Sequence, residues 1–334
     1  GGGAMNTITG GQRARTSRLT ELLLDYGAVL GMLIVVLLLG LIEPKFLRFQ
    51  NLLGVLNSSS ILIVLSLAMM MAMSVRGVNL SVAQTADAAG LVAAMCIING
   101  MPWYAAVLAA VLFGLVVGAI NAFTVSYLGV PAIIGTLGMM FIIRSFELTI
   151  TNGAQPQILF SLPAKMTKTF LAIGQGKLAG ISLLIILTVI ISVAVFAIKE
   201  RSTLGRKMDA VGGNARAAFL ASINIRRVFA AALVISSVLA ALGGIMVTAR
   251  SGSAVPRGCE TYLNDTFVAC FLGTLLTKNK GRMNTVGTII GAIFVSLLSN
   301  WFTLMSFGAS YKYIFNGLFI VAAVAVGSLR NRKA

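Results

Sequence analysis

The residues able to do chemistry in this chain are few and scattered. No histidine occurs among its 334 residues, which excludes Ser-His-Asp and Cys-His nucleophiles, histidine zinc sites and the HExxH pattern. The three cysteines, Cys96, Cys259 and Cys270, have no CxxC spacing. That argues against a disulfide framework or thiolate metal site and for packing. No GxxxxGK[ST] phosphate loop is present, so any ATP hydrolysis must come from another chain. No catalytic, cofactor-binding or metal-ligating set is identified, and the chain reads as a non-catalytic subunit. What remains is a handful of ionisable groups in apolar sequence, which are expensive in a bilayer and so are functional candidates. Arg144 and Glu147 stand three apart on one expected helix, placed to neutralise each other as an intramembrane pair or to meet a substrate. Asp87 follows Gln84 by three residues. Their shared face, together with Asn79, either lines a translocation path for a hydroxyl-rich cargo or holds helices together through hydrogen bonds of about 1 kcal/mol each. Asp265 reads either as a helix cap or as a gating group.

The elements that must position these groups follow from composition. Hydrophobic residues make up 58% of the chain, charged residues 10%, and the mean hydropathy is +0.95, whereas a soluble domain is about a quarter charged. A span needs roughly 20 apolar residues, and apolar runs occur near 22–42, 52–75, 80–99, 103–127, 132–151, 178–198, 228–248, 264–277, 285–303 and 313–329. The expectation is an all-α integral membrane protein of about ten transmembrane helices, forming a single domain over 21–334. Residues 1–20 read as a tag remnant, Gly1 to Ala4, followed by a polar tail. Of the 26 Lys and Arg, 17 fall on the side that holds the termini and the 199–227 connection, eight on the other, with Arg144 inside a span. By the positive-inside rule both termini are cytoplasmic. The net charge of +17 therefore reflects topology and contact with membrane lipid rather than a nucleic-acid surface.

Two connections are long enough to do more than join helices. Residues 152–177 are external, broken by Pro156 and Pro163, and suit a partly helical cap or docking surface. Residues 199–227 are cytoplasmic. In them the pair Gly212-Gly213 permits a sharp turn, Asn214 is a good N-cap, and a short helix of Ala215, Arg216, Ala217, Ala218, Phe219 and Leu220 should follow. Such a helix fits a socket in another protein or lies on lipid headgroups. The polar turn from Arg76 to Ser81 sits at a helix junction, and if it dips inward its backbone must be covered by protein. Met69, Met70, Met71 and Met73 read as adaptable packing. The GxxxG spacings Gly27/Gly31, Gly114/Gly118 and Gly287/Gly291 read as close helix contacts rather than a dedicated dimer face.

The pattern Gly205-Arg206-x-x-x-Ala210-x-Gly212-Gly213-Asn214-x-x-Ala217-Ala218-x-x-x-x-Ile223 resembles the coupling loop of sugar-type ABC importer permeases, the ribose permease family. Gly77-Val78-Asn79-Leu80-Ser81-Val82, Val130-Pro131-Ala132-Ile133-Ile134 with Thr136-Leu137-Gly138 and Arg144, and the series Asp265, Gly273-Thr274, Gly281-Arg282, Asn284, Gly287-Thr288 are similar to further motifs of that family. Asn79 stands where most members have Asp, Arg76 and Ala83 replace glycines, and Asp87 occupies a usually apolar position. The resemblance implies a permease subunit in the bacterial inner membrane, paired with a second permease subunit as homo- or heterodimer. It implies two copies of a cytoplasmic ABC ATPase docking on the coupling residues Gly212, Gly213, Asn214, Arg216, Ala217, Ala218, Phe219 and Leu220, and a soluble binding protein delivering a monosaccharide or related polyol. Branched-chain amino acids are the alternative cargo, and a self-sufficient secondary carrier the alternative mechanism.

Overall fold

Helices dominate because most of the chain has no water against which to satisfy its backbone. The computed structural model describes residues 29–276, 282–308, 310–318 and 321. Its helices are α1 (Val29–Ile42), α2 (Phe49–Met73), α3 (Val82–Ile98), α4 (Trp103–Ala122), α5 (Ala132–Ile150), α6 (Ala164–Gln175), α7 (Leu183–Phe196), α8 (Thr203–Gly213), α9 (Ala215–Leu220), α10 (Ile225–Ser251), α11 (Glu260–Leu275) and α12 (Thr285–Leu304), with a further helical stretch in 310–318. Single π-helical turns extend α4 through Phe123–Tyr127 and α7 through Ala197–Arg201. Two-residue strands β1 (Gln157–Ile158), β2 (Lys177–Leu178), β3 (Ile181–Ser182) and β4 (Ser253–Ala254) form two antiparallel pairs, β1 with β4 and β2 with β3.

Among the described residues six helices are long and apolar enough to cross a membrane: α2, α4 and α7 with their adjoining turns where present, α5, α10 and α12. The shorter α1 and α3 are also apolar. The protein is thus an all-α, multi-pass membrane protein. Two expected boundaries move. The run near 264–277 belongs to a helix that starts four residues earlier, at Glu260, so Asp265 lies in its second turn and is not its cap. The run from 178 loses its first residues to the β2–β3 hairpin. Most of the 313–329 run, residues 1–20 expected as tag remnant and tail, and residues 21–28 of the first span lie outside the described residues.

The interior is organised by α2 and α10. From Ser59 to Met73 every residue of α2 is buried, the four methionines included. α10 packs against α4, α3, α2 and α6. Side chains such as Leu108, Leu112, Val116 and Ile120 on α4, and Val189, Ile190 and Val193 on α7, are exposed at the bundle surface, where lipid is their natural solvent. Small residues set the close contacts. A Cβ on Gly114 or Gly118 would meet Ser237, Ala241 or Val234 of α10, and one on Gly287 or Gly291 would meet the α11 backbone at Gly273 or Ala269. Both GxxxG pairs are consumed inside the chain. Gly31 meets nothing within 4 Å, and Gly27 lies outside the described residues.

The connections collect at two ends. At one, Arg76 Nη2 donates to the Gly213 carbonyl at 2.8 Å and Thr285 N donates to Glu200 Oε1 at 3.1 Å, joining the 74–81 turn, the 199–224 connection and the entry to α12. At the other, β1 pairs with β4, Gln175 Nε2 donates to the Arg250 carbonyl at 3.0 Å and Ser182 Oγ donates to Asn57 Oδ1 at 2.9 Å. The partly helical character expected of 152–177 is present as β1 and α6. Gly291→Val should destabilise the α11–α12 contact by about 1–3 kcal/mol, read as a lower thermal midpoint in detergent. Gly31→Val should leave the midpoint in place, and equal midpoints for both variants would refute this account of the packing.

Candidate functional site

The 199–227 connection folds as two helices meeting at Asn214. The Asn214 side chain accepts from Ala217 N at 3.0 Å, so the N-cap reading holds. The glycine pair does not make the turn. α8 runs through both glycines, and it is Asn214, at φ −150° and ψ 102°, that breaks the helix. Gly212 is needed for close approach instead, because a Cβ there would collide with the Ser74 carbonyl. α9 closes with Ser222 in the left-handed region at φ 60° and with Ile223 N donating to Ala218 O at 3.0 Å, a Schellman-type stop. Of its residues only Ala218 is buried; Arg216, Ala217, Phe219 and Leu220 are exposed, the last two by 69% and 78%. Two large apolar side chains thus project from a capped, small-sided helix at the end of the bundle.

Behind this helix lies an ionic knot that reading along the chain did not single out. Lys199, almost wholly buried, pairs with Asp209 of α8, and Asp209 also pairs with Arg282 just before α12. With Glu200 and Arg206 these residues line a cavity of about 460 Å³. The signal was weak because Lys199 closes an apolar run among other cations and Arg282 is 73 residues from Asp209 in sequence.

The 74–81 turn does dip inward. α2 ends in a Schellman stop with Arg76 at φ 58° and Gly77 N donating to Ala72 O at 3.1 Å. The chain then runs unwound between α4, α5 and α10. There Leu80 N donates to Thr136 Oγ1 at 3.1 Å, and Ser81 N donates to Asn79 Oδ1 at 3.1 Å. Asn79, wholly buried, donates through Nδ2 to Ser236 Oγ at 3.0 Å, and Asn121 Nδ2 donates to Ser81 Oγ at 3.0 Å. Both ends of the Asn79 amide are occupied by protein. The site uses both senses of the amide, which donates as well as accepts.

The other candidates sit near the opposite end. Asp87 Oδ1 accepts from Cys259 N at 2.8 Å, while Oδ2 has no partner among the described residues. The carboxylate borders a cavity of about 180 Å³ lined also by Thr248, Ser251 and Ser253. Gln84 is buried one turn away with Oε1 unpartnered among the described residues. The expected Arg144–Glu147 pair is corrected. Arg144 pairs with Glu260 of α11 at 3.5 Å, and Glu260 also takes a bidentate contact from Arg257 at 2.8 and 2.9 Å. Glu147 is 1% exposed and has no ion pair among the described residues. Residues three apart on a helix point about 60° apart, which here turns Glu147 into the bundle and leaves Arg144 at its rim. Asp265 is buried on α11, where its two oxygens accept from Lys312 Nζ at 2.7 Å and Asn316 Nδ2 at 2.6 Å.

Comparison with known proteins places this geometry. A family model described as branched-chain amino acid transport system / permease component matches residues 51–324. The ribose import permease of Escherichia coli K12 is 30% identical over 91% of this chain and 94% of its own length. The D-allose transport system permease of the same strain is 30% identical over 91% of each chain. The galactose/methyl galactoside import permease of Haemophilus influenzae is 27% identical over 90% of this chain and 94% of its own length. The chain belongs to the ribose permease family of ABC importers. No solved structure matches it. In this permease Asp87 anchors the backbone entering α11 at Cys259. Asp87→Asn keeps an acceptor for Cys259 N–H, whereas Asp87→Leu leaves that buried donor unpaired at a cost of about 1–3 kcal/mol. The Asn variant should therefore unfold in detergent near the parent temperature and the Leu variant well below it; equal losses would count against the anchoring role.

Proposed function

We propose that this chain is the membrane subunit of an ATP-driven importer for a monosaccharide or related polyol. The observation that carries the reading is α9: a capped helix that presents Phe219 and Leu220 to the outside from the end of the bundle that also holds the 74–81 break. On this reading the end is cytoplasmic, both termini lie there, and ten spans cross a bacterial inner membrane. A separate ABC ATPase receives α9 in a groove, one copy beneath this chain and one beneath a second permease subunit. A soluble binding protein delivers the sugar to the opposite face.

The mechanical route supports this reading. α9 continues from α8, α8 rests on the 74–81 turn through Gly212 and the Arg76–Gly213 hydrogen bond, and Asp209 ties α8 to the entry of α12 through Arg282. A push on α9 therefore bears on α2, α3 and α12 together. The sugar cargo rests on the relatives, whose names are ribose, allose and galactose permeases. The name of the family model keeps a branched-chain amino acid in view as the second reading. Uptake of radiolabelled ribose, allose, galactose and leucine by the reconstituted complex distinguishes the two.

Docking is tested at Ala217, which is exposed, rather than at Ala218, which is buried and whose replacement would perturb the fold. Ala217→Glu places a charge on the contact face. It should reduce cargo-stimulated ATP hydrolysis by tenfold or more, with unchanged membrane insertion and thermal midpoint. Full stimulation in that variant would remove α9 from the ATPase interface.

A further inference from the structure

Besides the charged cavity at Lys199, three cavities in the bundle differ in what they could hold. One between α2, α7 and α12, lined by Ile63, Val189, Val193, Ile289 and Ile293, is almost wholly apolar and offers a polyol nothing. The cavity at Asp87, about 180 Å³, is half the size of the third. That third cavity, about 360 Å³, lies between α2, α11, α12 and the 310–318 helix, at the end opposite α9. Its volume falls in the ~300–1,000 Å³ range of small-molecule sites.

Its lining has a distinct chemistry. Thr261, Tyr262 and Ser299 bring hydroxyl groups able to donate and accept, and Thr303 Oγ1, which donates to the Ser299 carbonyl at 2.9 Å, brings an acceptor. Asp265 and Lys312 also line it, and they are paired to each other at 2.7 Å. The site thus carries charge only as a neutralised pair. An anion would meet Asp265 and a cation Lys312, whereas a neutral molecule with several hydroxyls finds partners of both senses. Asp265 is 4% exposed and is held from two sides by Lys312 and Asn316, so the wall is built around it rather than being a chance surface dent. Apolar Val55 and Leu62 of α2 supply the remaining face, matching the C–H face of a sugar ring.

We infer that this cavity is the outer waypoint of the translocation route, taking a neutral monosaccharide between α2, α11 and α12. The inference rests on the importer reading above and adds the site. Asn79, consumed by the unwound turn, is not part of it.

The test uses the full complex of chain, ATPase and binding protein in proteoliposomes, with radiolabelled ribose, allose and galactose as probes. Ser299→Cys, made in a Cys96→Ala background because Cys96 is partly exposed, introduces a thiol into the wall; the native Cys259 and Cys270 are buried. A membrane-impermeant methanethiosulfonate added from the binding-protein side should modify it, saturating sugar should slow that modification, and uptake should fall tenfold or more, with the parent complex unaffected. Ser299→Ala and Thr303→Val, which remove only hydroxyls, should each lower uptake about fivefold, the weight of one hydrogen bond. Modification that leaves uptake intact, a thiol that the reagent cannot reach, or full uptake in both hydroxyl-deleted variants overturns the waypoint while the importer reading stands. A parent complex that moves none of the three sugars overturns both.

Discussion

The structure depends on how an unwound stretch of backbone is kept satisfied inside a membrane bundle. Between α2 and α3 the chain leaves helical geometry while surrounded by α4, α5 and α10, and water cannot serve its peptide groups there. Side chains serve them instead. Thr136 accepts from Leu80 N, Asn79 from Ser81 N, and Asn79 is itself fixed by Ser236 and Asn121 by Ser81. Remove one of these partners and a buried donor is orphaned, which costs more than a hydrogen bond gains. Three helices, α4, α5 and α10, are thereby tied to one short turn, and the turn is also the floor on which α8 rests. The Arg76 side chain shows the same economy: its backbone sits at φ 58°, a conformation that glycine adopts without strain, and its guanidinium caps the end of α8 at Gly213.

A bilayer gives helices little hydrophobic reason to associate, since lipid is as apolar as leucine. Close approach replaces it. α3 and α10 meet where Gly90 faces Thr248 and Gly244 faces the Ala86 carbonyl, positions with no room for a Cβ. α11 and α12 meet in the same way. Large apolar side chains are then free to face outward, as on α4 and α7, while the serines, threonines and alanines of α3 and α10 turn inward. The inversion relative to a soluble protein is why the polar candidates for function are buried and the apolar ones are at the surface.

Much of this was legible in the sequence, and the exceptions have a common cause. The apolar runs mark the long helices, because length and hydropathy are local properties. Asn214 caps α9 as expected, because capping is settled within three residues. The coupling motif brought the family resemblance. The misreadings concern partners distant in the chain. Gly212-Gly213 looks like a turn until Ser74 is seen pressed against Gly212, and Arg144 looks paired with Glu147 until Glu260, 116 residues on, is brought to its side. The Lys199–Asp209–Arg282 knot was missed for the same reason. Spacing reports which residues share a helix face, but not which neighbouring helix that face meets.

The placement of charge bears on what such a bundle can pass. Asp209 is balanced by Lys199 and Arg282, Asp265 by Lys312, and Glu260 by Arg257 and Arg144. These three acids are compensated, whereas Asp87 and Glu147 have no ion pair among the described residues and are buried inside the bundle. A charged cargo would have to leave water for a bundle whose charges at both ends are mostly paired, at a cost of several kcal/mol per ion. A hydroxyl-rich neutral cargo loses only hydrogen bonds that serine, threonine and tyrosine can return. Such weak, reversible contacts hold nothing tightly, which favours release. On the proposed reading, the discrimination between one sugar and another then falls to the soluble protein that delivers it, and the permease needs only a path wide and wet enough to let it through when α9 is pushed.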